Sequence, residues 1–192
     1  MSLQNTSPLP KVLIVPGLYG SGPDHWQSQW EKQNPSFRRV EQSDWDTPAC
    51  HDWTATLDSA IREEHDNVIL VGHSLGSVTI AHWASRYGRR ISGALIVAPS
   101  DTEAVTFPQG TTGFAPIPTD RLPFPSIVIA SSKDPYISFE RVTQLSKAWG
   151  SELISLGPCG HISTADGFGP WPEGLQYIAQ LQNLRPTNPV LI

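Results

Sequence analysis

The chain has 192 residues, 39% apolar and 16% charged, which suits one soluble domain (1–192) with a full hydrophobic core and excludes a disordered chain. Its net charge of −5 leaves no electrostatic footprint for nucleic acid or anionic lipid, and no apolar run reaches the roughly 20 residues that span a bilayer. Cys50 and Cys159 are too few for a disulfide scaffold and lack zinc-ligand spacing.

In chain order, residues 1–10 are rich in Pro, Ser and Asn, lack a signal-peptide pattern, and read as a loose end, as do 186–192. A cytoplasmic location is the default expectation. Continuous apolar runs predict buried strands at Val12–Val15, Val68–Val71, Ala94–Val97 and Ser126–Ala130. Weaker strand signals lie at 152–156 and 37–42. Helices are predicted from Pro23, where Trp26 and Trp30 are spaced by four, and from Asp52, Ser74 and Ile137. Gly88 and Gly150 are natural helix stops, and 171–184 predicts a closing helix. Strands alternating with helices predict an α/β fold. We expect a three-layer α/β/α sandwich on a mostly parallel sheet of about six strands, with its site beyond the strands' carboxyl ends.

Two glycine-rich turns follow predicted strands. The first, Pro16-Gly17-Leu18-Tyr19-Gly20-Ser21-Gly22, matches neither the dinucleotide fingerprint nor the P-loop, and no lysine follows it. A standing phosphate is therefore not expected there. The second, Gly72-His73-Ser74-Leu75-Gly76, is a G-x-S-x-G pattern. The bare pattern is weak. Its context, an apolar strand before and an amphipathic helix after, is the one that exposes a strained serine at a sharp turn.

A serine hydroxyl attacks only when a base takes its proton, and the base needs an acid to set its tautomer. The order Ser, acid, His is met by Ser74, Asp134 and His161, each just past a predicted strand. Asp101 is the rival acid. His51, His65 and His82 read as surface or packing residues, His73 as held within the turn, and Cys159 as a small packed thiol. The anion to be held is then the transient oxyanion of acyl transfer, bound by the backbone N–H groups of Leu18 and Leu75.

The stretches "PGLYGSGPDHWQSQWE", "EQSDWDTP", "VGHSLGS", "ALIVAPSD", "PFPSIVIASSKDPY", "AWGSELISLGPCGHIS" and "WPEG", spanning about 11–180, resemble the small serine hydrolases grouped with retinoblastoma-binding protein 9 and the bacterial YdeN proteins. The resemblance implies an α/β-hydrolase fold without a large lid and the triad Ser74, Asp134 and His161. Residues 101–125 are too short for a cap domain. Phe107, Phe114, Ile117 and Phe124 within them either wall an acyl pocket or pack the core. His25, Trp26 and Trp45 are candidate substrate contacts at the cleft. The expected function is hydrolysis of small carboxylic esters, thioesters or amides through an acyl-Ser74, with no metal or organic cofactor. The alternative is a protein-interaction module on a hydrolase fold with little turnover. A third reading is cofactor-free peroxidation through the same residues. The expected partner is a small-molecule ester, with neither nucleic acid nor membrane; oligomeric state is not readable.

Overall fold

The computed structural model describes residues 9–184. The expected loose ends therefore lie, apart from positions 9 and 10, outside the described residues. Six strands form one sheet in the order β2-β1-β3-β4-β5-β6. They are β1 (Lys11–Val15), β2 (Phe37–Arg39), β3 (Val68–His73), β4 (Gly93–Val97), β5 (Ser126–Ala130) and β6 (Glu152–Ser155). Every pairing is parallel. The helices are α1 (Trp26–Gln33), α2 (Cys50–Glu63), α3 (Leu75–Tyr87), α4 (Phe139–Trp149) and α5 (Leu175–Asn183). No helix among the described residues is long and apolar enough to cross a membrane.

Successive residues of a strand face opposite sides, so the sheet splits its apolar runs between two cores. Leu13, Val15 and Leu70 face α2, α3 and α4, where Trp53, Leu57, Ile61, Trp83, Leu145 and Trp149 pack. Val12, Ile14, Ile69 and Val71 face α1 and α5, against Trp26, Trp30, Ile178 and Leu181. Because both faces are covered, β3, β4 and β5 are buried at every position. This is why their sequences read as unbroken apolar runs.

The second core also holds polar rings. His25 and His73 are buried beside Trp26, with the two imidazole centroids 4.7 Å apart. Burial is the main reason that the His25 pKa falls to about 4, with Arg39 and His161 adding to it. Burial likewise holds His73 well below the usual histidine range.

The sheet order reverses direction at β1 and β3, where one neighbour lies to each side, and this opens a crevice beyond their carboxyl ends. The crevice is tight. A Cβ at Gly76 would lie 2.0 Å from the Val15 carbonyl oxygen, and one at Gly17 would lie 2.8 Å from the Ser74 Cβ. Only glycine lets the two turns touch.

Helix starts differ slightly from expectation. The first helix begins at Trp26 rather than Pro23, because His25, in an extended conformation, caps it by accepting a hydrogen bond from the Gln27 N–H. The second begins at Cys50, two residues earlier than Asp52, where the Cys50 N–H is tied to the Thr112 carbonyl. The third and fourth begin at Leu75 and Phe139, with Ser74 and Ser138 as their caps. Gly88 and Gly150 end them in left-handed conformations, as predicted.

Residues 98–125, between β4 and β5, are strapped down. Thr112 bonds Pro48 and Cys50, and Thr102 and His82 bond the Phe114 carbonyl. The Leu122 N–H donates to the Trp149 carbonyl, and the Trp149 indole N–H donates to the Pro118 carbonyl. Phe114, Ile117 and Phe124 are buried in the first core, so the packing reading holds for them. They do not line the cleft.

Replacing Gly76 by Ala should destabilise the protein by about 3 kcal/mol or more, since the new methyl meets rigid backbone rather than a side chain that can turn away. A fall in denaturation midpoint checks this. The two depressed histidines set a pH dependence. The unfolded chain binds protons below about pH 6.5 while folded His25 resists them until pH falls to about 4. The stability that comes from keeping His25 neutral is therefore present above 6.5 and lost as pH falls towards 4, a loss of about 3 kcal/mol. Urea unfolding at stepped pH, with a His25→Asn variant that keeps a capping oxygen, should show this acid slope flattened in the variant.

Candidate active site

The turn from β3 into α3 places Ser74 at φ 56° and ψ −124°, a region that a non-glycine residue enters at a cost of roughly 1–3 kcal/mol. Neighbouring structure holds it there. The Ser74 N–H donates to the Val97 carbonyl at 3.1 Å, and the Ser77 hydroxyl donates to the same oxygen at 2.9 Å. A Cβ at Gly72 would meet Ser77 backbone at 2.8 Å, so this glycine too is required by the close turn.

Asp134 lies in the loop after β5 and His161 in the loop after β6. They meet directly: His161 Nδ1 lies 2.8 and 2.9 Å from the two Asp134 carboxylate oxygens. The Asp134 side chain is only 1% exposed, and its Oδ1 also accepts the Tyr136 N–H at 2.8 Å. Since Nδ1–H donates to the carboxylate, neutral His161 leaves Nε2 as an acceptor. The rival Asp101 is placed differently. Its carboxylate accepts the Glu103 N–H and faces Arg141, away from His161.

Ser74 and His161 line one cleft of about 230 Å3, together with Gly17, Leu18, Tyr19, Ser21, His25, His73, Ser100, Phe107, Pro108, Tyr136 and Ser163. The Ser74 hydroxyl does not bond His161 here. Its partner is the Ser100 hydroxyl at 2.8 Å. The structure thus brings Asp134 and His161 into contact and brings Ser74 to the shared cleft, in a side-chain position turned to Ser100.

The turns that carry Leu18 and Leu75 come together at the crevice. A Cβ on Gly17, next to Leu18, would lie 3.2 Å from the Leu75 nitrogen. Tyr19 and Gly20 donate their N–H groups to Trp45 and Gly17, whereas among the described residues nothing accepts from Leu18 N–H or Leu75 N–H. Leu75 is the first residue of α3, where N–H groups are unpaired and the helix end is positive.

The three candidate substrate contacts separate. His25 lines the cleft. Its Nδ1 is used by the Gln27 N–H, so its proton sits on Nε2, which is buried with no partner. Trp26 does not reach the cleft: it is fully buried behind His25 and His73, and its indole N–H donates to the Ile162 carbonyl at 2.9 Å. Trp45 also lies off the cleft, edge-on to Trp53 and flat beneath Gly20, where it supports the first turn. Tryptophan's large apolar surface made packing the stronger demand at both positions.

Several residues around the site were not singled out from the sequence. Asp166 braces the His161 loop, accepting from the His161 N–H at 2.9 Å and from the Ser163 hydroxyl at 2.7 Å. Partial burial works against its charge, yet those bonds hold its carboxyl below the ordinary range. The Ser163-x-x-Asp166 spacing of a capping box was the readable signal. His73 donates from Nε2 to the His161 carbonyl at 2.9 Å, holding that loop from below. Gln27, fully buried, donates to the carbonyls of Val15 and Val71 and so ties the ends of β1 and β3. Ser100 carries no sequence signal of its own. Cys159 is a half-buried thiol that burial pushes up from its ordinary pKa, as fits a packing residue.

Comparison with known proteins places the chain in a family. A family model described as serine hydrolase matches residues 12–180. Among solved structures, a YdeN-like hydrolase from Pectobacterium atrosepticum shares 32% identity, with a TM-score of 0.80 and 90% of each chain covered. The ydeN gene product of B. subtilis superposes with a TM-score of 0.70 at 19% identity, over 90% of this chain and 98% of that one. Est1E from Butyrivibrio proteoclasticus shares the fold at a TM-score of 0.64 and 12% identity, over 93% of this chain and 87% of that one. No curated protein sequence matches. The match over nearly the whole sheet, elbow and histidine loop shows that the chain belongs to the serine hydrolase family, as a YdeN-like member with the α/β-hydrolase fold.

Proposed function

We propose that the protein hydrolyses small carboxylic esters, and by the same chemistry thioesters or amides, through an acyl-enzyme on Ser74. The observation that carries the reading is the His161–Asp134 pair, 2.8 Å apart, facing a cleft that also holds a serine in a strained elbow. In this reading the Ser74 hydroxyl turns to His161 Nε2 and gives up its proton as Oγ attacks the ester carbonyl. Asp134 keeps the imidazole in the tautomer that can accept, and stabilises the imidazolium that forms. The oxyanion lies between the free N–H groups of Leu18 and Leu75, whose dipoles are already oriented before charge develops. His161 then returns the proton to the leaving alcohol, and water repeats the sequence to release the acid. The unpaired Nε2–H of His25 offers a neutral donor for a substrate oxygen.

The cleft is small, and Leu18, Tyr19, Phe107, Pro108 and Tyr136 give it apolar walls. Those walls favour a short acyl or alcohol group over a long chain.

A fluorophosphonate probe should label the native protein and leave Ser74→Ala unlabelled; equal labelling of the variant would remove Ser74 as nucleophile. His161→Ala should lower kcat by about 10⁴-fold in p-nitrophenyl acetate hydrolysis. Phe107→Ala should move preference in a p-nitrophenyl ester series towards longer acyl chains, by about tenfold in relative kcat/KM. An unchanged chain-length profile would show that this ring does not limit the pocket.

A further inference from the structure

Resting on the hydrolytic reading of this cleft, we infer that Ser100 is a further catalytic residue, whose hydroxyl donates a hydrogen bond to Ser74 Oγ while that oxygen attacks and again while it leaves.

Ser100 is 3% exposed, lines the cleft, and makes one side-chain hydrogen bond among the described residues, to Ser74 Oγ at 2.8 Å. The surrounding backbone is braced on both sides. The N–H of Ala98 donates to the Ile129 carbonyl at 2.9 Å, and that of Asp101 to the Tyr136 carbonyl at 3.0 Å. Ala98 itself takes a left-handed φ of 42°, turning the chain from β4 towards the elbow. This short turn therefore links the Ser74 elbow to the loop that carries Asp134.

The direction of the bond follows from counting protons. The Ser74 hydroxyl has one proton, and in the acylation step that proton goes to His161 Nε2. Ser74 Oγ must then be the acceptor of any other bond it keeps, and among the described residues Ser100 O–H is the one side-chain donor in contact with it. As Oγ loses its proton to His161, the bond from Ser100 becomes charge-assisted and strengthens. Ser100 keeps its own proton throughout. Once Oγ carries the acyl group it is a poor acceptor, and the bond weakens. When water attacks and Oγ departs, the charge returns to Oγ and the bond with it. The hydroxyl thus stabilises the charged stages more than the resting and acylated states, which is the condition for accelerating a reaction.

The resting geometry fits this role. In the free protein the two hydroxyls satisfy each other. The inference requires that, as the Ser74 side chain turns towards His161, the Ser100 hydroxyl turns with it and stays within donating distance of Oγ. A serine placed there only to fill space would have been served by alanine, without a hydroxyl to bury.

The test is pre-steady-state hydrolysis of p-nitrophenyl acetate by Ser100→Ala, Ser100→Cys and Ser100→Thr, with Ser74→Ala alongside. Loss of a donor to a charged oxygen predicts acylation and deacylation both slowed by about 10- to 100-fold in the Ala variant. The Cys variant, with a weak S–H donor, should also be slowed, and Thr, which keeps the hydroxyl, should stay near the parent rate. Substrate affinity, melting temperature and the base's pH midpoint should stay at parent values. Should Ala or Cys acylate at the parent rate or faster, Ser100 is a resting-state restraint and the inference is overturned. Activity persisting in Ser74→Ala would instead overturn the nucleophile assignment, a separate failure.

Discussion

The contact on which the rest depends is the one between two glycine-containing turns at the centre of the sheet. The end of β1 and the β3–α3 elbow approach until the Val15 carbonyl and the Gly76 Cα leave no room for a methyl group. A parallel sheet whose order reverses at these two strands must part its connections to opposite faces, which opens a space between them at that edge. The fold therefore makes the crevice, and the glycines let its two turns come into contact.

Around this contact the structure spends much of its polar hardware on loop position. Gln27 ties the carboxyl ends of β1 and β3 together, and Arg39 grips the Gly20 and Ser21 carbonyls from the outside. The histidine loop is held at three points by Trp26, His73 and Asp166. These bonds are buried or half-buried, where each is worth more than on the surface and where a missing partner is costly. The result is that His161 keeps its contact with Asp134 while its other face stays open to the cleft. Burial keeps His25 and His73 uncharged, so neither sets a positive imidazole beside His161.

The serine hydrolase family match and the 32% identical YdeN-like structure account for the architecture, whereas the chemistry is argued from individual atoms. The strained serine, the tautomer imposed on His161 and the unpaired N–H groups are independent features, and each would be a cost to folding without some use at the site. That three such costs converge on one small cleft is the physical ground for reading it as catalytic. The Ser74–Ser100 contact belongs to the same accounting, a polar pair placed inside an apolar-walled space.

Much of this was legible in the residues. The four apolar runs, the two weaker strands, the elbow pattern and the order of serine, aspartate and histidine follow from local rules of periodicity, turn chemistry and spacing. The position of its loop in the chain favoured Asp134, with Asp101 as the rival; packing showed that Arg141 and the Glu103 N–H occupy the latter. Phe114, Ile117 and Phe124 could have lined the cleft or the core on equal terms, and the core took all three, as it took Trp26, while Trp45 is partly buried against its edge. Ser100, Gln27 and His73 acquire their partners across strands that are distant in sequence. Local composition determined which elements form and where they turn. The assignment of each side chain to cleft or core was decided by tertiary packing, because hydrogen bonds and close contacts between loops depend on how the strands are ordered in space.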